Sequence, residues 1–494
     1  MNATPLLLFR FLLLLPLTAL CLGAADTPQN PPAPAVLMAP AAAGLPPFPA
    51  VVRNETAGQQ EARLQWLREA RFGLFIHWGV YAVPAGFWQG KPAGAEWIMF
   101  QGRIPVADYR AFAREFTAAK YDPQAWAQLA ADAGIKYVVI TAKHHDGFAL
   151  FDSACSGWNA VKASGARRDL LQPLAAAVRA KGLRFGVYYS QSQDWVNPGG
   201  GKGRGTAWDE AQKGDFDTYL ATISLPQVRE LLAKFDPDIL WWDTEYQITP
   251  ERARPFFDLV LSHPKLIQNS RLGGGVLGDF RTSEQRIPAS AMLGRALEVN
   301  MTINRSWGYR SDDTEWKSAQ QLIRNLSDIT SKDGNYLLNV GPTAEGVIPQ
   351  PEIDRLLAIG RWLKVNGEAI YATRGGPYSK PLDWGRTTQK TRPGGGTTLY
   401  LHVWQWPADG KVLLPGLTQA AREGRMLAGG APVAASVTGD GLLVTLPGTA
   451  PDPDVSVAAL DFEGPIAVAD AAPLPTDTGS SGTLADPSKS PPPQ

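Results

Sequence analysis

The sequence predicts an α/β protein: a (β/α)8-like TIM barrel catalytic domain followed by a C-terminal β-sandwich. Three observations carry this. From about residue 60 to 370, short runs apolar on both faces alternate with amphipathic helical stretches, the pattern of a buried parallel sheet under helices. Roughly seven such alternations in one region suit a closed barrel better than an open doubly wound sheet. After about 373 the helical period stops, and short strand-like runs joined by tight turns take over.

The barrel strands are expected at Phe72–Ile76, Tyr137–Thr141, Arg184–Tyr189, Ile239–Trp242, Leu266–Gln268, Leu297–Ile303 and Tyr336–Val340. Helices are expected over 123–133, 169–181, 226–235, 250–261, 315–330 and 351–366. Asp122-Pro123 and Asp169-Leu170 read as helix starts, and Gly134 and Gly182 as stops. The sandwich strands are expected at Thr397–Trp406, Lys411–Leu414, Val433–Val437, Leu442–Leu446 and Val455–Leu460, with a hairpin signal at Gly439-Asp440-Gly441. The domains are then 59–372 for the barrel and 373–465 for the sandwich. The Pro/Ala-rich stretch 26–58 reads as a flexible lead-in, and the Pro/Ser/Gly-rich stretch 466–494 as a disordered tail.

Residues 1–25 carry Arg10, then a Leu-rich run, then Gly23-Ala24-Ala25. This is a signal-peptide pattern, and it implies export to the periplasm or beyond. The apolar run after Arg10 is shorter than the ~20 residues a membrane span requires. Leu20 before Cys21 is a poor fit to a lipoprotein cleavage site, and no stable membrane insertion is expected. Cleavage near Ala25 leaves Cys155 as the one cysteine, too few for an internal disulfide. Lys+Arg and Asp+Glu both total 47, without the basic excess of a nucleic-acid binder. No G-x-G-x-x-G follows the first strand, and no cofactor is expected.

In such a barrel the site lies at the C-terminal ends of the strands. There the apolar runs end in His77-Trp78-Gly79, Lys143-His144-His145-Asp146-Gly147, Tyr188-Tyr189-Ser190, Trp241-Trp242-Asp243 and Asn269-Ser270-Arg271. Three of the five histidines stand at these ends. Neutral imidazoles suit sugar hydroxyls, and indole faces suit sugar C–H patches. Imidazoles also suit a metal. However, His144 and His145, as neighbours on a strand, would point to opposite faces unless the strand end is irregular, and no H-E-x-x-H is present. Asp243, framed by aromatic rings, is the leading reactive carboxylate. A retaining glycosidase needs a second about 5–5.5 Å away. Glu245 is too near in sequence, and Glu251 fits a helix's first turn. Glu284, read as part of a loop, and Glu298, on the next strand, remain.

These residues and several longer segments resemble the α-L-fucosidases of glycoside hydrolase family 29. The resemblance rests on RFGLFIHWGVYAVPAG, TAKHHDGFALFDS, RRDLLQPLAAAVRAKGLRFGVYYS, NYLLNVGPTAEGVIP and IGRWLKVNGEAIYAT, in that order. It runs from about 62 to 372 and more weakly through the sandwich. It implies a retaining exo-hydrolase acting on terminal α-L-fucose of glycans or glycoconjugates. By position, Asp243 matches the nucleophile. His77, Glu96, Trp97, His144, His145, Tyr188, Trp241 and Arg271 match fucose-binding positions. Glu284 matches an acid/base position and is preferred, with Glu298 as the alternative. Two departures stand out: Thr282-Ser283-Glu284, where relatives often read Thr-Pro-Glu, and Glu298-Val299-Asn300-Met301, where they often carry Cys. The rival readings are a fucose-binding lectin on a dead barrel, which would not need a paired acid, and a metal-dependent hydrolase built on the three histidines.

Overall fold

The structure, a computed structural model, describes residues 51–203, 205–292, 294–378 and 380–469, with positions 474 and 476. The expected signal peptide, most of the lead-in and nearly all of the tail lie outside the described residues. The described part of the lead-in is tied to the barrel: Val51 N–H donates to the Gly275 carbonyl at 3.0 Å, and Leu277 N–H donates to the Val51 carbonyl at 3.2 Å.

Eight strands form one parallel sheet: β1 (Phe72–Ile76), β2 (Tyr137–Lys143), β3 (Arg184–Tyr189), β4 (Ile239–Trp242), β5 (Ile267–Gln268), β6 (Phe280–Glu284), β7 (Ala296–Thr302) and β8 (Gly334–Val340). Their order is β5-β4-β3-β2-β1-β8-β7-β6. The ends meet at a parallel bridge between Asn269 and Phe280. There Asp279 N–H donates to the Gln268 carbonyl at 2.8 Å, and Gln268 N–H donates to Asp279 Oδ2 at 2.9 Å. The sheet thus closes into a barrel.

Segment 279–285, expected as a loop, carries strand β6, so Glu284 stands at a strand end. The strand reads Phe-Arg-Thr-Ser-Glu and has none of the apolar signature that marks the others. Two of its polar side chains, Thr282 and Glu284, accept from Arg271 instead of packing in a core.

Helices flank most strands: α1 (Ala57–Ala70), α2 (Pro123–Asp132), α3 (Leu171–Ala180), α4 (Leu225–Phe235), α5 (Pro250–Leu261), α6 (Ala319–Ser331) and α7 (Gln350–Asn366). Asp122 caps α2 by accepting from the Gln124 and Ala125 N–H groups. Asp169 caps α3 by accepting from Leu171 and Gln172, although the helix proper starts at Leu171, two residues later than expected. Among the described residues no helix lies between β5 and β6 or between β6 and β7, which leaves their loops free to shape the site.

The barrel interior is a cluster of Phe75, Tyr137, Val139, Tyr188, Ile239, Trp241, Ile267, Phe280 and Leu337, closed below by Leu64, Leu67 and Ala70 of α1. The Tyr137 ring needs Gly73: a Cβ there would lie 2.3 Å from the ring. Outward-facing residues such as Leu74, Ile76, Val138, Ile140 and Val187 pack under the helices. Burying both faces of the strands supplies the main driving force for closure.

Beyond α7 come β9 (Arg374–Gly375), β10 (Gly385–Thr391), β11 (Thr397–Val403), β12 (Lys411–Pro415), β13 (Glu423–Met426), β14 (Ala434–Thr438), β15 (Gly441–Thr445) and β16 (Ser456–Phe462). They make a five-stranded sheet, β9-β10-β11-β16-β13, and a three-stranded one, β12-β15-β14, around a core of their own. The expected hairpin joins β14 to β15. Strands β10 and β13 were not foreseen, because Gly-Arg-Thr-Thr-Gln-Lys-Thr and Glu-Gly-Arg-Met carry no clear apolar alternation. The sandwich rests on the helical side of the barrel: Trp404 Nε1 donates to Ser327 of α6 at 3.0 Å, and Trp362 of α7 donates to the Val455 carbonyl at 2.8 Å. Among the described residues, no helix is long and apolar enough to cross a membrane.

Candidate active site

The strand ends converge as expected. Asp243 is the first residue beyond β4. Its Oδ2 accepts from the Tyr188 hydroxyl at 2.8 Å, and its Oδ1 from Arg271 NH1 at 2.7 Å. His145 Nε2 lies 3.5 Å from Oδ2. Burial pushes the Asp243 carboxyl up, but Arg271 and the Tyr188 hydroxyl outweigh it and hold the carboxyl below its usual range. It is therefore ionised at neutral pH.

Arg271, just past β5, is the hinge of the site. Its Nε donates to Thr282 Oγ1 at 2.8 Å, and NH2 donates to Glu284 Oε2 at 3.0 Å. The guanidinium lies over the Trp241 ring, 4.7 Å from its centroid. One guanidinium thus holds Asp243 on one terminal nitrogen and Glu284 on the other. The two carboxylates are thereby tied to one cation.

Glu298 lies lower. Along the β6–β7 pairing, Thr282 faces Glu298 and Glu284 faces Asn300. Glu298 is therefore two residues, ~7 Å, deeper in the barrel than the level of Glu284. It is fully buried, accepting from the Tyr137 hydroxyl at 2.6 Å and from Trp241 Nε1 at 2.8 Å. The Glu284 side chain, by contrast, is 39% exposed.

Burial raises the Glu298 carboxyl to about 7 despite its two donors. Below its ordinary value of 4.5 both folded and unfolded chains hold this proton. Between there and about 7 only the folded chain does, so this group's contribution to stability is lost as pH rises through that window. In Glu298→Gln that loss is absent. The difference in melting temperature, variant minus wild type, is expected to climb from pH 4.5 to 7 and then level off. A difference independent of pH, followed by thermal melts across this range, contradicts the assignment.

The imidazoles line one side. His77 Nδ1 donates to Asn339 Oδ1 at 2.6 Å, and the Asn339 amide donates to the Trp307 carbonyl at 2.8 Å. This leaves His77 Nε2 as an acceptor. Ser190 gives its proton to the Gln193 carbonyl at 3.0 Å, so His145 Nδ1 donates to Ser190 Oγ at 2.7 Å. His145 Nε2 and Asp243 Oδ2 then face each other as two acceptors. Burial lowers His77 and His145 to about 4, and His144 well below its usual value. All three are neutral at physiological pH.

His144 stacks on Tyr188, with ring centroids 5.5 Å apart, and lies 4.1 Å from the His145 ring. Neighbours on a regular strand would diverge, but β2 ends at Lys143 and the chain turns directly after it, with Gly147 N–H donating to the His144 carbonyl at 3.0 Å. His144 and His145 therefore share one site. His144 Nδ1 is buried without a partner. Among the described residues no group of three or more His, Cys, Asp or Glu is arranged to hold a metal ion.

Glu96 is buried and accepts from the Gly308 N–H at 2.9 Å. Burial raises its carboxyl. Trp97 packs edge-on to His145 at 5.0 Å and lies 5.1 Å from Trp195. Glu298 thus lies beneath the level at which Arg271 meets Asp243 and Glu284. Residues not foreseen are Gln191, Thr282, Trp307 and Asn339. Asn339 was detectable as a polar residue inside an apolar strand. Trp307 lies on a loop with no pattern of its own.

A carboxylate kept ionised beside a second, partly exposed one on a shared arginine, ringed by neutral imidazoles and indoles at the mouth of a barrel, is the arrangement of a glycoside hydrolase. The comparisons narrow that class. A family model described as Alpha-L-fucosidase matches residues 50–368. Tissue α-L-fucosidase of Rattus norvegicus is 34% identical over 386 residues, 72% of this chain and 80% of that one. Plasma α-L-fucosidase of Homo sapiens is 32% identical over 414 residues, 77% of this chain and 85% of that one. Among solved structures, α-L-fucosidase isoenzyme 1 from Paenibacillus thiaminolyticus superposes with a TM-score of 0.72 at 37% identity, covering 82% of this chain and 100% of that one. A family 29 enzyme from Bacteroides thetaiotaomicron, trapped as a covalent intermediate with 2-fluoro-fucosyl fluoride in a glutamate-to-glutamine mutant, gives 0.74 at 25% identity, covering 84% and 99%. The chain belongs to the α-L-fucosidase family, glycoside hydrolase family 29.

Proposed function

We propose that the protein is a retaining exo-α-L-fucosidase in which Asp243 is the nucleophile and Glu284 the acid/base. The observation that carries this reading is the Arg271 guanidinium bridging the two carboxylates. The trapped covalent intermediate of the Bacteroides relative supports the same chemistry here.

In the first step an Asp243 oxygen forms a bond to the anomeric carbon as the glycosidic C–O bond breaks. Glu284 gives its proton to the departing oxygen. In the second step the Glu284 carboxylate takes a proton from water, the water oxygen bonds to the anomeric carbon, and the ester to Asp243 breaks. The low-lying Asp243 suits attack as an anion. The exposed position of Glu284 suits exchange of protons with water, which the sealed position of Glu298 does not. His77 Nε2, His144, His145 and Glu96 bind fucose hydroxyls and fix the ring, supplying the orientation part of the rate enhancement. Trp97 and Trp241 offer apolar faces to the sugar. The substrate class is a terminally fucosylated glycan or glycoconjugate.

The test is hydrolysis of an aryl α-L-fucoside followed by proton NMR from the first turnover. Release of α-L-fucose before mutarotation is the expected result; β-L-fucose as first product overturns retention. We also infer export, on the N-terminal segment alone. The intact mass of the exported protein should match a chain starting after Ala25, and a mass retaining residues 1–25 would refute cleavage.

A further inference from the structure

Gln191 lies two residues beyond β3, is fully buried and has no assigned role. Both ends of its side-chain amide are engaged. Its Oε1 accepts the Asp243 backbone N–H at 3.1 Å. Its Nε2 donates to the Arg271 carbonyl at 2.8 Å and the Leu272 carbonyl at 3.2 Å, with the Thr244 carbonyl at 3.4 Å. Its own carbonyl accepts from the Ser224 hydroxyl at 2.7 Å. One amide therefore joins the chain just after β3 to the chain just after β4 and just after β5.

The join falls where the sheet holds least. Strand β5 is two residues long and pairs with β4 only at Ile239–Ile267 and Leu240–Gln268. Asn269 extends that hold by one residue, accepting from Trp242 N–H at 3.0 Å and donating to its carbonyl at 2.9 Å. Asp243 and Arg271 lie beyond both, and Thr244 turns away at once in left-handed backbone, φ +56°. The 2.7 Å bond between Asp243 and Arg271 thus depends on two loop backbones keeping a fixed offset. The Gln191 amide is the group that touches both.

We propose that Gln191 is a positioning residue for fucoside hydrolysis: it holds the backbones of Asp243 and Arg271 together so that the guanidinium meets the nucleophile and the acid/base at once. It acts through them and does not touch the sugar. This rests on the proposed roles of Asp243 and Glu284.

The test compares wild type, Gln191→Met and Gln191→Glu on an aryl α-L-fucoside, reading kcat, KM and the pH profile of kcat/KM. Misplacement of reacting groups by about 1 Å costs up to ~10²-fold. Gln191→Met, similar in length with neither hydrogen bond, is expected to lose roughly ten- to a hundredfold in kcat with KM changed less than about threefold. Asp243 is faced by Arg271, His145 and Tyr188, with Glu284 across the guanidinium. Loosening Arg271 raises the Asp243 carboxyl, so the acid limb of the profile moves to higher pH. Gln191→Glu supplies a donor only when protonated, so its activity relative to wild type should recover as pH falls.

A variant that melts at a lower temperature but keeps wild-type kcat and acid limb overturns the proposal. If Gln191→Met does not fold, the pH trend of Gln191→Glu decides alone, and a flat ratio overturns it. Parallel assays of Asp243→Ala separate the two levels. If that variant keeps wild-type activity, the assigned roles fail. If it is inactive while the Gln191 variants match wild type, only the positioning role fails.

Discussion

Asp243→Ala is expected to lower kcat by at least ~10³–10⁴-fold. Sodium azide should restore turnover with β-fucosyl azide as the product. The size follows from what the side chain does. It is the anion nearest the space bounded by His145, Tyr188 and Arg271, and Arg271 and the Tyr188 hydroxyl hold it ionised against the cost of burial. Truncation leaves a small void beside a buried guanidinium that still pairs with Glu284. An anion the size of azide fits the charge and the space. Attack from that void inverts the anomeric centre, hence the β product. Activity of Asp243→Ala within about tenfold of wild type would remove it from the reaction.

Glu284→Ala should behave differently, and the contrast with Glu298→Ala is the informative part. Loss of a general acid costs ~10²–10⁴-fold. The loss should be largest for sugar leaving groups, which need the proton, and smallest for activated phenols, which do not. With activated phenols the fucosyl-enzyme accumulates, KM falls, and azide attacks the intermediate to give α-fucosyl azide. Glu298→Ala orphans the Tyr137 hydroxyl and Trp241 Nε1 inside the barrel, at about 1–3 kcal/mol for each unsatisfied group. It should melt lower and yield no fucosyl azide. If α-fucosyl azide comes from Glu298→Ala and not from Glu284→Ala, the acid/base assignment is reversed.

Much of the barrel and its mouth is legible from residues alone, for a physical reason. Strands buried on both faces must be apolar throughout, so β1, β3 and β4 stand out, and the polar residues that end them mark where the barrel meets solvent. Asp243 is visible because it follows Ile-Leu-Trp-Trp directly: a carboxylate framed by indoles is costly to bury unless something pairs with its charge. Strand β6 is hidden because its inward side chains, Thr282 and Glu284, serve Arg271 instead of a core. Its polarity imitates a loop. The choice between Glu284 and Glu298 turns on depth in the barrel, a matter of register between β6 and β7 that spacing along one chain does not encode. Gln191 escapes notice for a related reason. Its partners Asp243 and Arg271 lie 52 and 80 residues away in sequence, and a glutamine next to a strand end has no signature until those backbones are placed against it. Neighbours on a strand diverge, but β2 ends at Lys143 and the turn that follows brings His144 and His145 together.

In the proposed reaction Asp243 bonds to the sugar. The most direct test is to incubate the enzyme with 2-fluoro-fucosyl fluoride, whose fluorine slows both steps, then digest it and locate the added mass by tandem mass spectrometry. The expected result is one 2-fluoro-fucosyl group per chain, on Asp243, in a peptide containing Ile239–Trp242. A label on Glu284, Glu298, Glu245 or Glu96 instead would contradict it.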